Sequence, residues 1–336
     1  MSEASEIKIA PATLTALAKR GCLEKIGGSP VKFKFNNNFN DDSEEKSSGA
    51  TNISLHKAKK MKNDEFYTQY QDIEAEVLNY KKQFQDKIVY LPCDSIKSEF
   101  WKFFTNNFET FGLKELIATH YEENGQAYKI WTNDGINISQ EKLIGNGDFR
   151  SPECIEIFKR CDIVCTNPPF SLFREFVNVI MTHNKLCLII GNQNAFTYKE
   201  IFPLIKNNKL WTGYHMVKNF YQPDGSSKKF GNVCWFTNMS INKRTEELIL
   251  TKTYNPIDYP KYDNYDAIEV NKVANIPKDY YGIMGVPITF LDKYNPEQFE
   301  ILGDSRYHDG SDAANDINFV NGKQKYKRVL IRQLTK

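Results

Sequence analysis

The sequence predicts an α/β protein whose parallel sheet is crossed by helices, and three observations carry the prediction. From residue 87 onward, short apolar runs alternate with longer amphipathic stretches, the pattern of strands joined by crossover helices. One run, residues 161–166 (CDIVCT), leads directly into Asn167-Pro168-Pro169-Phe170 and then into an amphipathic stretch, the order of a strand, a stiff turn and a helix. At 336 residues the chain is long enough for one large domain with an appendage and a substantial core.

Taken in order, residues 1–54 read as a flexible extension. A short helix is expected at 11–20, followed by KFKFNNNFNDDSEEKSSGATN, which is polar, repetitive and without apolar periodicity. Folded sequence is expected from Leu55, and DEFYTQ (64–69) leads into a helix over 73–84 with Ile73, Val77, Tyr80 and Phe84 at helical spacing. Residues 87–91 (KIVYL) predict a first strand, 100–108 a helix and 115–119 (ELIAT) a second strand. A third strand is expected to end within 143–148. Residues 161–166 are the fourth, 172–181 the helix after it, 186–190 the fifth strand, 198–207 a helical stretch and 232–238 (NVCWFTN) the last strand. Past residue 250 the sequence becomes rich in Tyr, Asn, Pro and Lys with weak periodicity, so 55–250 is the expected main domain and 251–336 a smaller region.

Composition narrows the function classes. The net charge is only +2, so any affinity for nucleic acid must come from local clusters. Two are visible: Lys57, Lys59, Lys60 and Lys62, and a C-terminal run of Lys323, Lys325, Lys327, Arg328, Arg332 and Lys336 that contains no acid. Either also suits a solvated face. Seven cysteines at scattered spacings argue against a disulfide framework and for a reducing cytoplasm. Cys161 and Cys165 have no further Cys or His ligands in sequence reach, so they read as core thiols rather than metal ligands. No apolar run approaches the ~20 residues that span a bilayer, and MSEASEIK is not a secretory start.

In open α/β sheets ligands bind beyond the carboxyl ends of the strands, which is where Asn167-Pro168-Pro169-Phe170 falls. The tetrapeptide suits methylation of an aromatic amino group, whose lone pair is delocalised into its ring. An amide oxygen at the first position and the carbonyl of the next Pro can both accept from the amino hydrogens, and Pro brings no competing donor. Two prolines limit the entropy lost in aligning the loop. The aromatic at the fourth position offers a face on which an extruded base can stack, an interaction of ~1–3 kcal/mol. An ordinary strand-to-helix turn uses the same residues.

Beyond chemistry, the segments LHKAKKMKNDEFYTQYQDIEAEV, LPCDS, GDFRSPE, CDIVCTNPPFSLFREF, NVCWFTN and VPITFLDKYNPEQFEILG together resemble the EcoRI-type adenine-specific DNA methyltransferases, from about Leu55 onward. The resemblance implies a Rossmann-like fold that takes a methyl group from S-adenosylmethionine, flips adenine out of duplex DNA, and works beside a restriction endonuclease acting on the same site. Position by position, it implies that Phe66, Tyr67, Thr68 and Gln69 close over the methionine end of the cofactor and that Cys93 and Asp94 form the first-strand cofactor turn. Glu122 or Glu123 would accept from the ribose hydroxyls, and Asp148 with Phe149 would flank the cofactor adenine. The first-strand turn departs from the family of folds in lacking glycine, reading Leu91-Pro92-Cys93-Asp94-Ser95.

For DNA, both basic clusters offer phosphate contacts, with the C-terminal run (Lys325, Lys327, Arg328) in the expected recognition region. Residues 221–232 read as a flexible loop that orders on binding. Two further readings stay open from the residues: a methyltransferase of the same fold acting on RNA, cytosine or protein glutamine, and a DNA-binding relative without catalysis.

Overall fold

The computed structural model describes residues 23–26, 32–35, 67–123, 125–221, 227–305 and 319–335. The expected helix at 11–20 lies outside them, as do Phe66 and all four lysines of the first basic cluster. Within the stretch read as an extension, β1 (Leu23–Ile26) and β2 (Lys32–Phe35) pair antiparallel. Next come β3 (Tyr67–Thr68), helix α1 (Tyr70–Val77), a 3-10 stretch Leu78–Gln83 and β4 (Ile88–Pro92). The predicted helix thus tightens at Leu78, yet Ile73, Val77, Tyr80 and Phe84 are all buried on one side as their spacing requires.

Helix α2 (Glu99–Asn106) starts where the Ser98 hydroxyl accepts from the Trp101 N–H at 3.0 Å, satisfying one of the orphan donors of the first turn. With α3 (Phe108–Phe111) it supplies Phe103, Phe104 and Phe111 to a cluster that includes Phe84, with centroids 5.3–6.2 Å apart. Burying each such ring contributes about 2–3 kcal/mol, and the edge-on geometry adds to it.

β5 (Glu115–His120) pairs parallel with β4. Its other side is taken by an antiparallel hairpin of β6 (Tyr128–Thr132) and β7 (Ser139–Lys142). β7 ends at Lys142, next to the expected end of the third strand, but the hairpin makes it an antiparallel edge strand, and residues 143–148 are a loop. Two of their N–H groups, on Ile144 and Gly145, are taken by the Glu153 carboxylate at 2.9 and 2.8 Å instead of a neighbouring strand. Glu153 lies on α4 (Pro152–Arg160), capped by Ser151. β8 (Ile163–Thr166) pairs parallel with the other side of β4, α5 (Phe173–Thr182) follows, and β9 (Leu186–Asn192) pairs parallel with β8.

The helix expected at 198–207 is reduced to α6 (Phe202–Lys206), with Pro203 in its first turn. β10 (Trp211–Tyr221) and β11 (Ser227–Thr237) complete a nine-stranded sheet of order β3-β10-β11-β9-β8-β4-β5-β6-β7. β11 begins at Ser227, so the flexible loop expected over 221–232 is strand in its second half. The expected strand at 232–238 is the end of that longer one.

The chain divides into two compact units, residues 1–191 with 217–231, and residues 192–216 with 232–336. The first holds the parallel core β5-β4-β8-β9. In the second, β12 (Ile268–Glu269), β13 (Met284–Pro287), β14 (Phe299–Asp304) and β17 (Arg328–Gln333) form a sheet of order β12-β13-β17-β14, and β15 (Phe319–Val320) pairs with β16 (Lys323–Gln324). Weak periodicity beyond residue 250 therefore conceals a folded sheet. Among the described residues no helix is long and apolar enough to cross a membrane.

Candidate active site

Parallel pairing of β4 with β8, with Tyr90 opposite Val164, brings the carboxyl ends of the two strands side by side. Cys93 turns the chain at the end of β4 with φ 66°, and Asp94 follows it inward to 8% exposure. At the end of β8 the Thr166 hydroxyl oxygen lies 2.7 Å from Asp94 Oδ2 and 2.7 Å from the Pro92 carbonyl oxygen. Burial pushes the Asp94 carboxyl up to about 7, against the opposing effect of hydrogen bonds from Thr166 and Ser98.

Asn167 is next and is partly exposed, Pro168 is buried, and Pro169 (φ −53°, ψ 126°) leads into a 3-10 turn Phe170–Leu172. The Leu172 N–H closes that turn on the Pro169 carbonyl at 3.0 Å. Phe170 is partly exposed, and its ring meets Phe220 edge-on at 6.5 Å. Phe220 pairs with Thr68 across β10 and β3, so the Tyr-Thr segment and the Phe170 ring share one strand as a common support. Tyr67 pairs in turn with Tyr221. The Gln69 carbonyl accepts the first N–H groups of α1, from Asp72 and Ile73 at 3.1 and 3.2 Å. Thr68 is 5% exposed, and its hydroxyl has no hydrogen-bond partner among the described residues. A buried hydroxyl of this kind is satisfied by an ordered water or by a polar atom of a ligand.

The turn after β5 carries Tyr121, Glu122 and Glu123. The Glu122 N–H donates to the Asn146 carbonyl at 2.9 Å, and its carboxylate lies 3.7 Å from His120 Nε2. Gly147, with φ 77°, lets the 143–148 loop lie against β5: a Cβ there would be 2.3 Å from the His120 carbonyl oxygen. Both Asp148 oxygens accept from Arg150, at 2.6 Å from Nη2 and 2.9 Å from Nε, and Arg150 also reaches Glu175 at 2.5 Å. Burial pushes the Asp148 carboxyl up, but Arg150 outweighs it and holds it below the ordinary value. Phe149 is a correction: at 2% exposure it packs edge-on against Phe176 at 5.0 Å, in the core rather than on an accessible face.

Among the residues expected to meet DNA, Lys325 and Lys327 are exposed. Arg328 is corrected. It is buried in an ion pair with Glu269, donating from Nε to both carboxylate oxygens at 3.0 and 3.2 Å and from Nη2 as well. The structure thus joins Asp94 to the Asn167 loop, Thr68 to Phe170, and Glu122 to the Asp148 loop. Sequence reasoning passed over Thr166 and Phe220 as site residues, and neither carries a local signal; Gly147 is marked by the turn-like Asn146-Gly147-Asp148.

A stiff Asn-Pro-Pro-Phe loop leaving a central parallel strand, beside an acidic turn from the next strand, defines the α/β methyltransferases that act on amino groups. The comparisons give the particular family. The chain matches the family described as "Adenine-specific methyltransferase EcoRI" over residues 54–334. It is 46% identical to the Type II methyltransferase M.EcoRI of Escherichia coli over 321 residues, covering 84% of this chain and 97% of that protein. Identity is 41% to the Type II methyltransferase M.MgeORF184P of Mycoplasma genitalium and 39% to M.MpnI of Mycoplasma pneumoniae, each over 83% of this chain and 98% of the relative. No solved structure matches the chain. The chain belongs to the EcoRI family of adenine-specific methyltransferases.

Proposed function

We propose that this protein methylates the exocyclic amino group of an adenine flipped out of duplex DNA at one short sequence, in a restriction-modification or stand-alone modification role. One observation carries the reading: the Asn167 loop leaves β8 directly beside the Asp94 turn of β4, through Thr166. S-adenosylmethionine, when bound, supplies an electrophilic methyl carbon.

The chain's own residues do the rest. Asn167 and the Pro168 carbonyl accept from the adenine amino group and turn its lone pair toward the methyl donor. Phe170, braced by Phe220, holds the base by stacking. The proton on the methylated nitrogen leaves to solvent after transfer, so no general base is required. Thr68, with its buried hydroxyl, and Tyr67 and Gln69 beside it cover the cofactor's methionine end; Cys93 and Asp94 line it from below. Glu122 or Glu123 takes the ribose hydroxyls. Asp148, with its carboxylate already held by Arg150, contributes to the adenine side through its backbone.

The 251–336 region is the recognition region in this reading, with Lys325 and Lys327 on phosphates and Lys57, Lys59, Lys60 and Lys62 as a second set. Activity on DNA with S-adenosylmethionine suits a cytoplasmic protein, and in a restriction-modification role its counterpart is a cognate endonuclease that acts on the same site without forming a complex.

Single-molecule sequencing of DNA from a methylation-free host expressing this chain, alongside Asn167→Ala, tests the proposal. Modified adenine in one sequence context, absent with the variant, is the expected result. Unmodified DNA from a folded, cofactor-binding protein would move the substrate to RNA or protein.

A further inference from the structure

The contacts of Thr166 pose a hydrogen count. Its single hydroxyl hydrogen stands between two oxygens, Asp94 Oδ2 and the Pro92 carbonyl, each 2.7 Å away. A carbonyl oxygen cannot donate, so if Thr166 donates to Pro92 its contact with Asp94 is short of a hydrogen. Only a proton on the carboxyl can supply it. The chain Asp94 O–H to Thr166 O–H to Pro92 C=O uses every group once.

We infer that Asp94 carries this proton in the cofactor-free protein and that Thr166 is a positioning residue linking the first-strand turn to the catalytic loop. The inference rests on the reading of Asp94 as part of the cofactor site. The surroundings agree with it. The carboxyl is 8% exposed, and no basic group among the described residues contributes to its titration, which burial dominates, with the Thr166 and Ser98 hydroxyls opposing. The titratable groups nearby are the Cys93 thiol beside it in the chain and the Cys165 thiol on β8. Cys165 is kept neutral first by burial and then by Cys187.

A consequence follows for a ligand that presents an ammonium group to Asp94. The carboxyl proton must leave for solvent as the ion pair forms, and the Thr166 hydroxyl is then free to turn from Pro92 to the carboxylate. Because Thr166 immediately precedes Asn167, the charge state of the turn is felt at the root of the catalytic loop.

Calorimetric titration of the full chain with S-adenosylmethionine, in buffers of different ionisation enthalpy, reads the proton directly. With a midpoint near 7, release of about 0.9 proton per site is expected at pH 6, falling to about 0.1 at pH 8. Asp94→Asn is expected to bind without that release. Thr166→Val removes a donor to the ionised carboxyl and is expected to carry proton release to higher pH, while Thr166→Ser restores the wild-type profile. A Thr166 that merely fills space would lower affinity equally at every pH. Binding with no proton exchange between pH 6 and 8 overturns the inference and leaves the proposed function standing. No binding at any pH overturns both.

Discussion

Replacing Arg328 by Ala separates a structural arginine from a DNA-binding one. Its side chain is 8% exposed and that of Glu269 is 6% exposed, so the pair is almost wholly out of water. Glu269 also accepts from the Tyr262 hydroxyl, whose own proton is held more tightly by burial and by the Glu269 charge. Removing Arg328 leaves a buried carboxylate with that one neutral partner, at a cost of about 3–5 kcal/mol. At about 2–4 °C per kcal/mol, the melting midpoint should fall by roughly 6–20 °C, measured by differential scanning calorimetry at neutral pH. Glu269→Leu with Arg328→Met should recover much of the loss, since a buried pair exchanged for apolar residues is often neutral. A lone Arg328→Ala that melts with the wild type but binds DNA more weakly would mean the guanidinium is free for phosphate and the ion pair is not the resting state.

Three further outcomes are expected. Lys325→Ala with Lys327→Ala should lower the slope of log affinity against log salt by about 1.8 while preserving sequence preference; an unchanged slope would take both lysines off the DNA. Gly147→Ala, which drives a methyl to 2.3 Å from a backbone oxygen at φ 77°, should cost about 2 kcal/mol or more in urea unfolding. Gly231→Ala, with nothing within 4 Å, serves as its control, and equal losses at both sites would count against a tight approach at Gly147. Phe170→Ala should weaken capture of a flipped base by about 1–3 kcal/mol, read with 2-aminopurine at the target position, and leave cofactor affinity unchanged; loss of cofactor binding instead would reassign the ring.

The parallel core was legible because each strand is a short run of residues that bury on both faces: Val89, Tyr90 and Leu91; Ile163 and Val164; Leu188, Ile189 and Ile190. The edge was not, although its signals were present. Tyr128-Lys129-Ile130-Trp131-Thr132 alternates as a half-buried strand should, and Asp134-Gly135 marks the turn after it. The loop that follows the hairpin is irregular: Leu143 is buried and Ile144 is 98% exposed. Arg328 marks a different boundary. Its partner lies 59 residues away, and no local pattern distinguishes a lysine-flanked arginine on the surface from one drawn beneath it.

The missing glycine in the first-strand turn has a physical answer in Cys93. Glycine is the usual residue where a chain must turn with positive φ; here a side chain accepts that conformation at φ 66°, at a cost of about 1–2 kcal/mol. Such strain persists only where its surroundings over-determine it. The neighbours on either side of Cys93 meet that condition: the Pro92 carbonyl and the Asp94 carboxyl both converge on one hydroxyl of β8. Turning Cys93 back to negative φ would pull at least one of them away. Thr166 therefore does locally what glycine does elsewhere by permissiveness: it fixes the turn that carries Asp94 inward, and it does so from the residue that leads into Asn167.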